Sequence, residues 1–504
     1  MTSILIIGAG IGGIVAAARM VREGYQVTVV EKNEQPGGRC GFMDKDGYHF
    51  DTGATLFMMP ELYSQAFAEL GEHMEDHLEL HRVDPNYYIH FDNDSVLELT
   101  TDLNAMQTQL ESIEPGSFGA YLEYLTEGYR IYKLSLKHIL GRNFRNPFEF
   151  FTLKNLVLVF RLKALVNHYK NLGRYFEDPR LKVAFGFQNL YMGLNPFEAP
   201  AIYSLLQYTE HTDGIWFPKG GMYRIIEALI GIAERNGVQF LYNSPVERID
   251  IGKNRATGVT LVNGRKISAD IVIANADLPY VYRHLLPEDG TADRLDRKEF
   301  GCSAMMFYWG LDKQYPQLAA HNLFIANNYR QGLDDIFKGH SVSNDPSFYV
   351  HAPVRMDPSL APIGHEILYV GIPCGNLDDT KPQDWTAIQQ QSRSVVIQRL
   401  TEAGLHDLED HLKCEESYNP HDWQKRYNLV KGSTHGLSHN IMQMGYMRPH
   451  NRHHRYRNLY FVGASTNPGT GLPTVLISAR LTSERILQDV GVPQTTSISR
   501  PAIG

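Results

Sequence analysis

Ser3-Ile4-Leu5-Ile6-Ile7 runs directly into Gly8-Ala9-Gly10-Ile11-Gly12-Gly13, and the Ala-rich stretch Ile14–Arg22 follows. A short unbroken apolar run reads as a buried parallel strand. Ile14–Arg22 reads as a helix that Gly24 closes, and Gln26–Val30 reads as a second strand with Glu31 at its tip. Gly8, Gly10 and Gly13 form G-x-G-x-x-G, with Gly12 as an extra glycine. Gly8 permits the tight turn, Gly10 lets backbone approach a pyrophosphate, and Gly13 allows close packing of helix on strand. The helix N-terminus offers free N–H groups and a positive dipole end to phosphate. Glu31, 18 residues beyond Gly13, can accept hydrogen bonds from a ribose diol, which argues against a 2′-phosphorylated dinucleotide. The predicted fold is therefore α/β, with a Rossmann-like dinucleotide-binding unit. The glycine fingerprint alone does not choose between FAD and NAD.

Further along, Glu31-Lys32 is followed by Pro36-Gly37-Gly38-Arg39 and then by Phe50-Asp51-Thr52-Gly53. Far away in the chain, Asn458–Val462 reads as a strand that enters Gly463-Ala464-Ser465-Thr466-Asn467-Pro468-Gly469-Thr470-Gly471-Leu472-Pro473. A helix is predicted from Pro473 to about Leu487, with proline suited to its first turn. In the middle, Phe217–Met222 is expected to open a helix to about Arg235. Val238–Leu241 reads as a strand, and Pro245-Val246-Glu247 follows. Arg255–Val262 and Lys266–Ile273 flank Asn263-Gly264, a strong hairpin signal.

These stretches together resemble the flavin amine oxidase and carotenoid desaturase superfamily, and nearly the whole chain takes part. Within it the resemblance is to bacterial-type phytoene and dehydrosqualene (diapophytoene) desaturases. It is carried by Met58-Met59-Pro60 with Tyr63, Leu110–Gly116, Asn195-Pro196-Phe197, Gly214–Gly221, Pro449-His450-Asn451-Arg452 and Ser465–Pro473. The resemblance implies FAD as cofactor. It assigns Gly37 and Gly38 to the cofactor cleft, Arg39 to the phosphates and Val246 to a backbone contact with adenine. The other cofactor positions are Gly8, Gly10, Gly12, Gly13, Glu31 and Lys32, with Gly463, Ala464, Gly471 and Leu472 at the flavin end. Many relatives carry Gly-Asp where this chain has Gly463-Ala464, so no carboxylate is expected at that spot. The implied FAD domain is discontinuous, from residues 1–80, 215–290 and 440–490. Residues 81–214 would form a helical, membrane-facing part, 291–439 a substrate-binding part, and 491–504 a flexible tail.

Composition narrows the partners. The chain has 504 residues, too many for one ordinary core, and 43 % hydrophobic and 21 % charged residues, as in folded globular proteins. A formal charge of −8 argues against nucleic acid. Cys40, Cys302, Cys374 and Cys414 have neither metal nor disulfide spacing, and Cys40 reads as a small packing residue. Met1-Thr2-Ser3 lacks a basic signal region, and no stretch is apolar enough to span a bilayer. The expected setting is cytoplasmic, with peripheral attachment to a membrane.

The implied reaction is desaturation of an acyclic thirty- or forty-carbon polyene. It removes a hydride to flavin N5 and a proton from the neighbouring carbon, with quinone or oxygen as final acceptor. No catalytic base is assigned. At about 0.8 kcal/mol per CH₂, such a substrate resists entering water by tens of kcal/mol and has to arrive from a bilayer. Phe144–Val166, rich in Phe, Leu and Val with Arg142, Arg145, Lys154, Arg161 and Lys163 interspersed, is the expected docking segment; the alternative is a core helix with an exposed basic stripe. His450, His453 and His454 read as a solvated basic loop rather than a metal site. His435 and His439 have the i,i+4 spacing of a helix and are expected near the substrate. Two other readings of the fold are an amine oxidase and a prenyl-lipid-binding protein without flavin chemistry.

Overall fold

The computed structural model describes residues 1–93 and 95–491, so the tail expected at 491–504 lies, beyond Gly491, outside the described residues. Its first unit is a five-stranded parallel sheet. The strands are β1 (Ser3–Ile7), β2 (Gln26–Val30), β3 (Gln239–Leu241), β4 (Ile271–Ala274) and β5 (Leu459–Phe461), in the spatial order β5-β4-β1-β2-β3. The register pairs Ile6 with Val29 on one side and with Ile273 on the other. Alternation along the strands fills two cores. Ile4, Ile6, Val27, Val29 and Ile273 pack under the helices α1 (Ile11–Arg22), α2 (Arg224–Arg235) and α3 (Leu472–Val490). Leu5, Ile7, Val272 and Ala274 pack under an antiparallel three-stranded sheet built from Val246–Gly252, Arg255–Leu261 and Lys266–Ser268.

The boundaries differ from expectation where tertiary contacts intervene. Helix α1 starts at Ile11 rather than Ile14, so Gly12 and Gly13 lie inside it. A Cβ on Gly13 would stand 2.2 Å from the carbonyl oxygen of Gly8; the helix can rest on β1 only if that atom is missing. The stretch from Phe217 does not open a helix. Ile215–Pro218 is a strand paired with Leu80–Val83, and α2 begins at Arg224. The hairpin at Asn263-Gly264 forms, but its second arm is divided: Lys266–Ser268 closes the hairpin, and Ile271–Ala274 crosses into the parallel sheet as β4.

The second unit is a mixed seven-stranded sheet whose long central strands are Ser303–Leu311 and Glu366–Cys374. Tyr87–His90 and Val96–Leu99 join its edge, with Tyr87–His90 parallel to His321–Phe324, so residues 81–214 are not wholly helical. The helices of that stretch begin at Leu103. One face of the sheet packs Met306, Tyr308 and Ile367 toward the cofactor unit, and the other packs Met305, Phe307 and Trp309 away from it.

The crowding at Gly13 generates a paired expectation. Gly13→Ala places its methyl inside the carbonyl oxygen of Gly8 and should cost about 3 kcal/mol, the upper end of the usual overpacking range. Gly119→Ala, on the helix Ser117–Ser135 with open space at its Cβ, should instead stabilise by up to about 1 kcal/mol. Chemical denaturation of the two variants beside the parent chain measures both, and equal stabilities would contradict this packing.

Candidate functional site

The C-terminal ends of the parallel strands open into one cavity of about 720 Å³, the place where doubly wound sheets bind ligands. It is lined by Gly8, Gly10 and Gly12 after β1, by Glu31 and Lys32 after β2, and by Gly38 and Arg39 from the following turn. Val246 lines the far end, and Gly463, Ala464, Gly471 and Leu472 close it from the C-terminal side. Gly37 lines it too, so thirteen of the fourteen cofactor positions expected from the sequence meet in one cleft. Gly13 is the exception: it is buried at the contact of α1 with β1, one step behind the wall.

Two helices point their N-termini here. Helix α1 is capped by Gly10 and α3 by Gly471, and neither has a side chain bonded to its first N–H groups. Uncapped N-terminal groups seek an anion or a polar ligand. Glu31 is buried, and its carboxylate accepts from the backbone N–H of Ala9 at 2.7 Å and of Asn33 at 2.9 Å. Burial raises its pKa, and these two donors oppose the rise. A carboxylate has further lone pairs, which leaves acceptor capacity toward the cavity for a hydroxyl pair. Lys32 turns outward to the carbonyl of Lys425 (2.8 Å) and to Asn428 Oδ1 (2.9 Å), which ties the edge of the cavity to the second unit. Arg39 donates to the carbonyl of Thr434 at 2.6 Å and faces Asp277; burial draws its pKa down. A glycine-backed wall, two open helix ends, a buried acid at one end and a guanidinium midway fit a dinucleotide with an unphosphorylated ribose, as FAD has.

Three residues of the site went unassigned in the sequence. Asn275, just past β4, donates from Nδ2 to the carbonyls of Gly8 (3.1 Å) and Gly10 (3.4 Å). Asp277 accepts from Ser465 Oγ and from the backbone N–H of Val430 at 3.0 Å. It therefore puts a carboxylate beside the Gly463-Ala464 turn, where the chain's own Ala464 has none. The position of both residues at the end of an apolar strand was the available signal. Arg448 is completely buried and donates to five carbonyls, those of Thr466 (2.9 Å), Ser438 (3.0 Å), Gln443 (3.3 Å), Leu437 (3.2 Å) and Ala464 (2.6 Å). It forms no ion pair among the described residues, and burial draws its pKa down to about 10 against the pull of Tyr203 and the Asp277 carboxylate. No sequence pattern announces a residue whose partners are all main chain.

The histidines need correction. His435 and His439 share no helix; they follow the short turn Val430–Gly432 in irregular backbone. His435 lines the cavity and bonds the carbonyl of Cys302 at 2.9 Å, while His439 Nε2 accepts from the N–H of Thr470 at 3.0 Å and so helps to hold the Gly463–Gly471 turn. The 450–454 loop is not solvated throughout: His453 is buried, with its Nε2 4.0 Å from Asp289, and Asp289 also faces His454 at 3.8 Å. The trio has the spacing of a metal cluster, but its protons are wrong. Nδ1 of His453 accepts two backbone N–H groups, of Arg455 and Tyr456, each at 3.0 Å. Nε2 therefore carries the ring proton and has no lone pair for a metal; a ligating histidine donates from its other nitrogen. Cys40 is buried, and burial drives its thiol pKa far up, so it packs rather than reacts.

Arg448→Met would leave five buried carbonyls without their donor. The expected cost is at least about 3 kcal/mol, since each orphaned group costs about 1–3 kcal/mol. Bound flavin should be lost with it, because two of those carbonyls belong to the Gly463–Gly471 turn. Arg448→Lys, with three donors instead of five, should recover only part of both. Thermal unfolding and the visible flavin spectrum of the purified variants test this.

The comparisons with known proteins agree with the geometry. Residues 11–487 match the family described as flavin containing amine oxidoreductase. The zeta-carotene-forming phytoene desaturase of Myxococcus xanthus is 43 % identical over 99 % of this chain and 98 % of its own. The 4,4'-diapophytoene desaturase of Staphylococcus aureus (strain Newman) is 35 % identical over 97 % of this chain and 99 % of its own. Among solved structures, cyclohexylamine oxidase from Brevibacterium oxydans shares the fold with a TM-score of 0.62, at 16 % identity over 97 % of this chain and 99 % of its own. The chain belongs to the flavin containing amine oxidoreductases, and within them to the carotenoid desaturases.

Proposed function

We propose that this chain uses FAD to desaturate an acyclic carotenoid precursor. The observation that carries the reading is the end-to-end similarity to phytoene and diapophytoene desaturases, together with a cleft that fits the dinucleotide. Identity to phytoene desaturases runs from 43 % to 35 %, against 35 % to the diapophytoene desaturase, and the upper values lean toward phytoene as substrate. When bound, FAD supplies the two-electron oxidation by taking a hydride from an allylic carbon. The protein's own contribution is position and electrostatics. Glu31 would accept the ribose hydroxyls, and the backbone at Val246 would border the adenine. Arg39 and the N-terminus of α1 would hold the pyrophosphate. The Gly471–Leu472 end of α3 would stabilise negative charge as it develops on the flavin, since a helix N-terminus carries a partial positive charge. Asp277 would receive the hydroxyls of the linking chain. The amine-oxidase reading loses ground to the desaturase relatives, and the lipid-carrier reading to a dinucleotide cleft with its glycines, acid and arginine all in place.

The substrate's insolubility extends the proposal to a membrane face. On Leu153–Arg161 the buried side is Asn155 and Leu158, while Leu153, Leu156, Val157 and Phe160 point to solvent. Phe148 is 86 % and Leu153 84 % exposed, far beyond what an ordinary core helix leaves uncovered. Phe150 and Phe151 meet Tyr446, whose neighbour in the turn Gly445–Met447, Met447, is also exposed. Lys154 and Arg161 flank the apolar row. Apolar side chains rimmed by cations favour the surface of an anionic bilayer over the reading of a core helix with a basic stripe. Among the described residues no helix is long and apolar enough to cross a membrane. Electrons would leave to a quinone in that membrane or to oxygen.

Co-expression with a phytoene-forming or a diapophytoene-forming synthase tests the reaction. Coloured products from the forty-carbon precursor are expected, whereas unchanged precursor in both cultures, with flavin-loaded protein present, would overturn the reading. Flotation with anionic vesicles tests the face: Phe148→Ser with Leu153→Ser and Phe160→Ser should lower binding at least about tenfold, given roughly 1.5–3 kcal/mol per buried side chain. Unchanged flotation would place the docking surface elsewhere.

A further inference from the structure

Glu210 is a buried acid with no counter-ion among the described residues. It sits on the helix Ser204–Thr212 with none of its surface exposed. Its side-chain partners are the Gln188 amide, at 3.4 Å from Oε1, and the Tyr191 hydroxyl, at 3.4 Å from Oε2. Both are neutral and both are long. Other buried acids of the chain have stronger partners: Glu127 pairs with Lys163 and Glu366 with Arg355, Glu31 accepts two backbone N–H bonds and Asp277 a hydroxyl and a backbone N–H, as the cost of burying a charge requires. The titratable groups facing Glu210 are the phenols of Tyr87, Tyr121, Tyr124 and Tyr191. The adjacent His211 is held neutral, its pKa drawn down to about 4 by burial. Burial lifts the carboxyl of Glu210 to about 8, with only the Gln188 and Tyr191 hydrogen bonds opposing.

Tyr191 connects this acid to the cleft. It lies on the turn Phe187–Met192, and it lines the same cavity as Gly53, Ala54, Met306 and Tyr369, on the side of the second sheet and away from Val246. Its hydroxyl contacts that of Tyr87 and donates to Glu210. With its own proton directed at Glu210, the Tyr191 oxygen accepts from Tyr87 and keeps one further lone pair, on a side chain that lines the cavity.

Desaturation removes two hydrogens from adjacent carbons, one as hydride and one as proton. FAD accounts for the hydride, and no group described so far receives the proton. We propose that Tyr191 and Glu210 are the proton relay of the cleft. The C–H bond next to the carbon that has lost hydride breaks, and its electron pair becomes the new C=C bond. The proton passes to the Tyr191 oxygen as the Tyr191 proton passes to the Glu210 carboxylate. When a quinone or oxygen takes up the two electrons with two protons, the relay runs backward and Glu210 is ionised again. A carbocation is a strong acid, so a tyrosine backed by a carboxylate is base enough. Tyr191 touches the cavity and would be the catalytic residue; Glu210 acts through it. This inference rests on the desaturase reading, and the test separates the two.

Glu210→Gln and Tyr191→Phe are to be examined as full-length, FAD-loaded proteins with phytoene in vesicles, beside the parent chain. Flavin content should be unchanged in both, and turnover should fall about 100-fold, as for loss of a general base. The parent rate should rise with pH to a plateau above about 8, since the ionised acid is the competent form; Glu210→Gln should be flat. Infrared difference spectra of the resting protein need no turnover. From about two pH units below that value to about two above, the parent should lose one protonated-carboxyl band that Glu210→Gln lacks. A parent inactive on either precursor would defeat the desaturase reading, and the infrared titration would still report on Glu210. Parent-like rates and pH profiles in Glu210→Gln and Tyr191→Phe would overturn the relay. So would a Glu210 carboxyl that keeps one state across that range. Should Glu210→Gln fail to fold, Tyr191→Phe, which removes a single hydroxyl, decides by its rate and pH profile.

Discussion

Everything at the cofactor cleft depends on the side-chain amide of Asn275. It donates to the carbonyls of Gly8 and Gly10, which the tight turn after β1 leaves without strand partners. The same amide fills the space beside four glycines. A Cβ at Gly12 would lie 2.7 Å from it, and one at Gly10, Gly13 or Gly463 3.0 Å, at the tight limit of Cβ contacts. The ends of β1, β4 and β5 can therefore converge only with glycine at each of those positions and a short polar residue at 275. Close packing of this kind is stiff, and it leaves two helix N-termini fixed in one cavity with their N–H groups unspent.

The second constraint is the burial of polar groups around that cavity. Arg448 satisfies five carbonyls at once and draws the loop of residues 437–443 onto the Gly463–Gly471 turn. His439 adds a sixth contact from the same loop, to Thr470. Asp277 accepts from Ser465 on one side and from Val430 on the other. Each of these groups would carry a desolvation cost alone. Together they fix the backbone without spending the cavity-facing donors. The chemistry proposed for the other end follows the same logic in reverse: Glu210 is given weak partners, so its proton remains exchangeable.

The apolar surface has two distinct uses. Inside, aliphatic side chains alternate across the parallel sheet and sort into separate cores beneath α1–α3 and beneath the three-stranded sheet. Outside, the residues 148–166 keep Phe148, Leu153, Phe160 and Leu165 uncovered, across two short helices and the turn that follows them, and the helix Leu153–Arg161 buries its opposite side at Asn155 and Leu158. A helix apolar on both faces needs a second apolar neighbour, and the membrane face proposed above would supply it. For a substrate that avoids water, a lipid surface in the second place is physically coherent.

The sequence by itself determined the elements that depend on local rules. The strand–glycine turn–helix unit at residues 3–31, the Asn263-Gly264 hairpin and the glycine-rich entry to α3 were legible because turn geometry and alternation are properties of neighbouring residues. The residues that line the cleft were legible for the same reason: each lies on a motif, and the ends of parallel strands share one edge. Only the tertiary structure decided the rest. It moved the start of α1 into the glycines because of a contact with β1, and it turned Ile215–Pro218 into a strand because Leu80–Val83 lies beside it. It broke the apparent helix of His435 and His439, and it buried His453 in a loop that charge alone suggested was wet. It also supplied Asp277 where Ala464 seemed to leave a gap, and it joined Tyr191 to Glu210 across 19 positions of sequence. Such pairings depend on which distant segments share a space, and hydrophobic periodicity and turn chemistry, being local, carry no record of that.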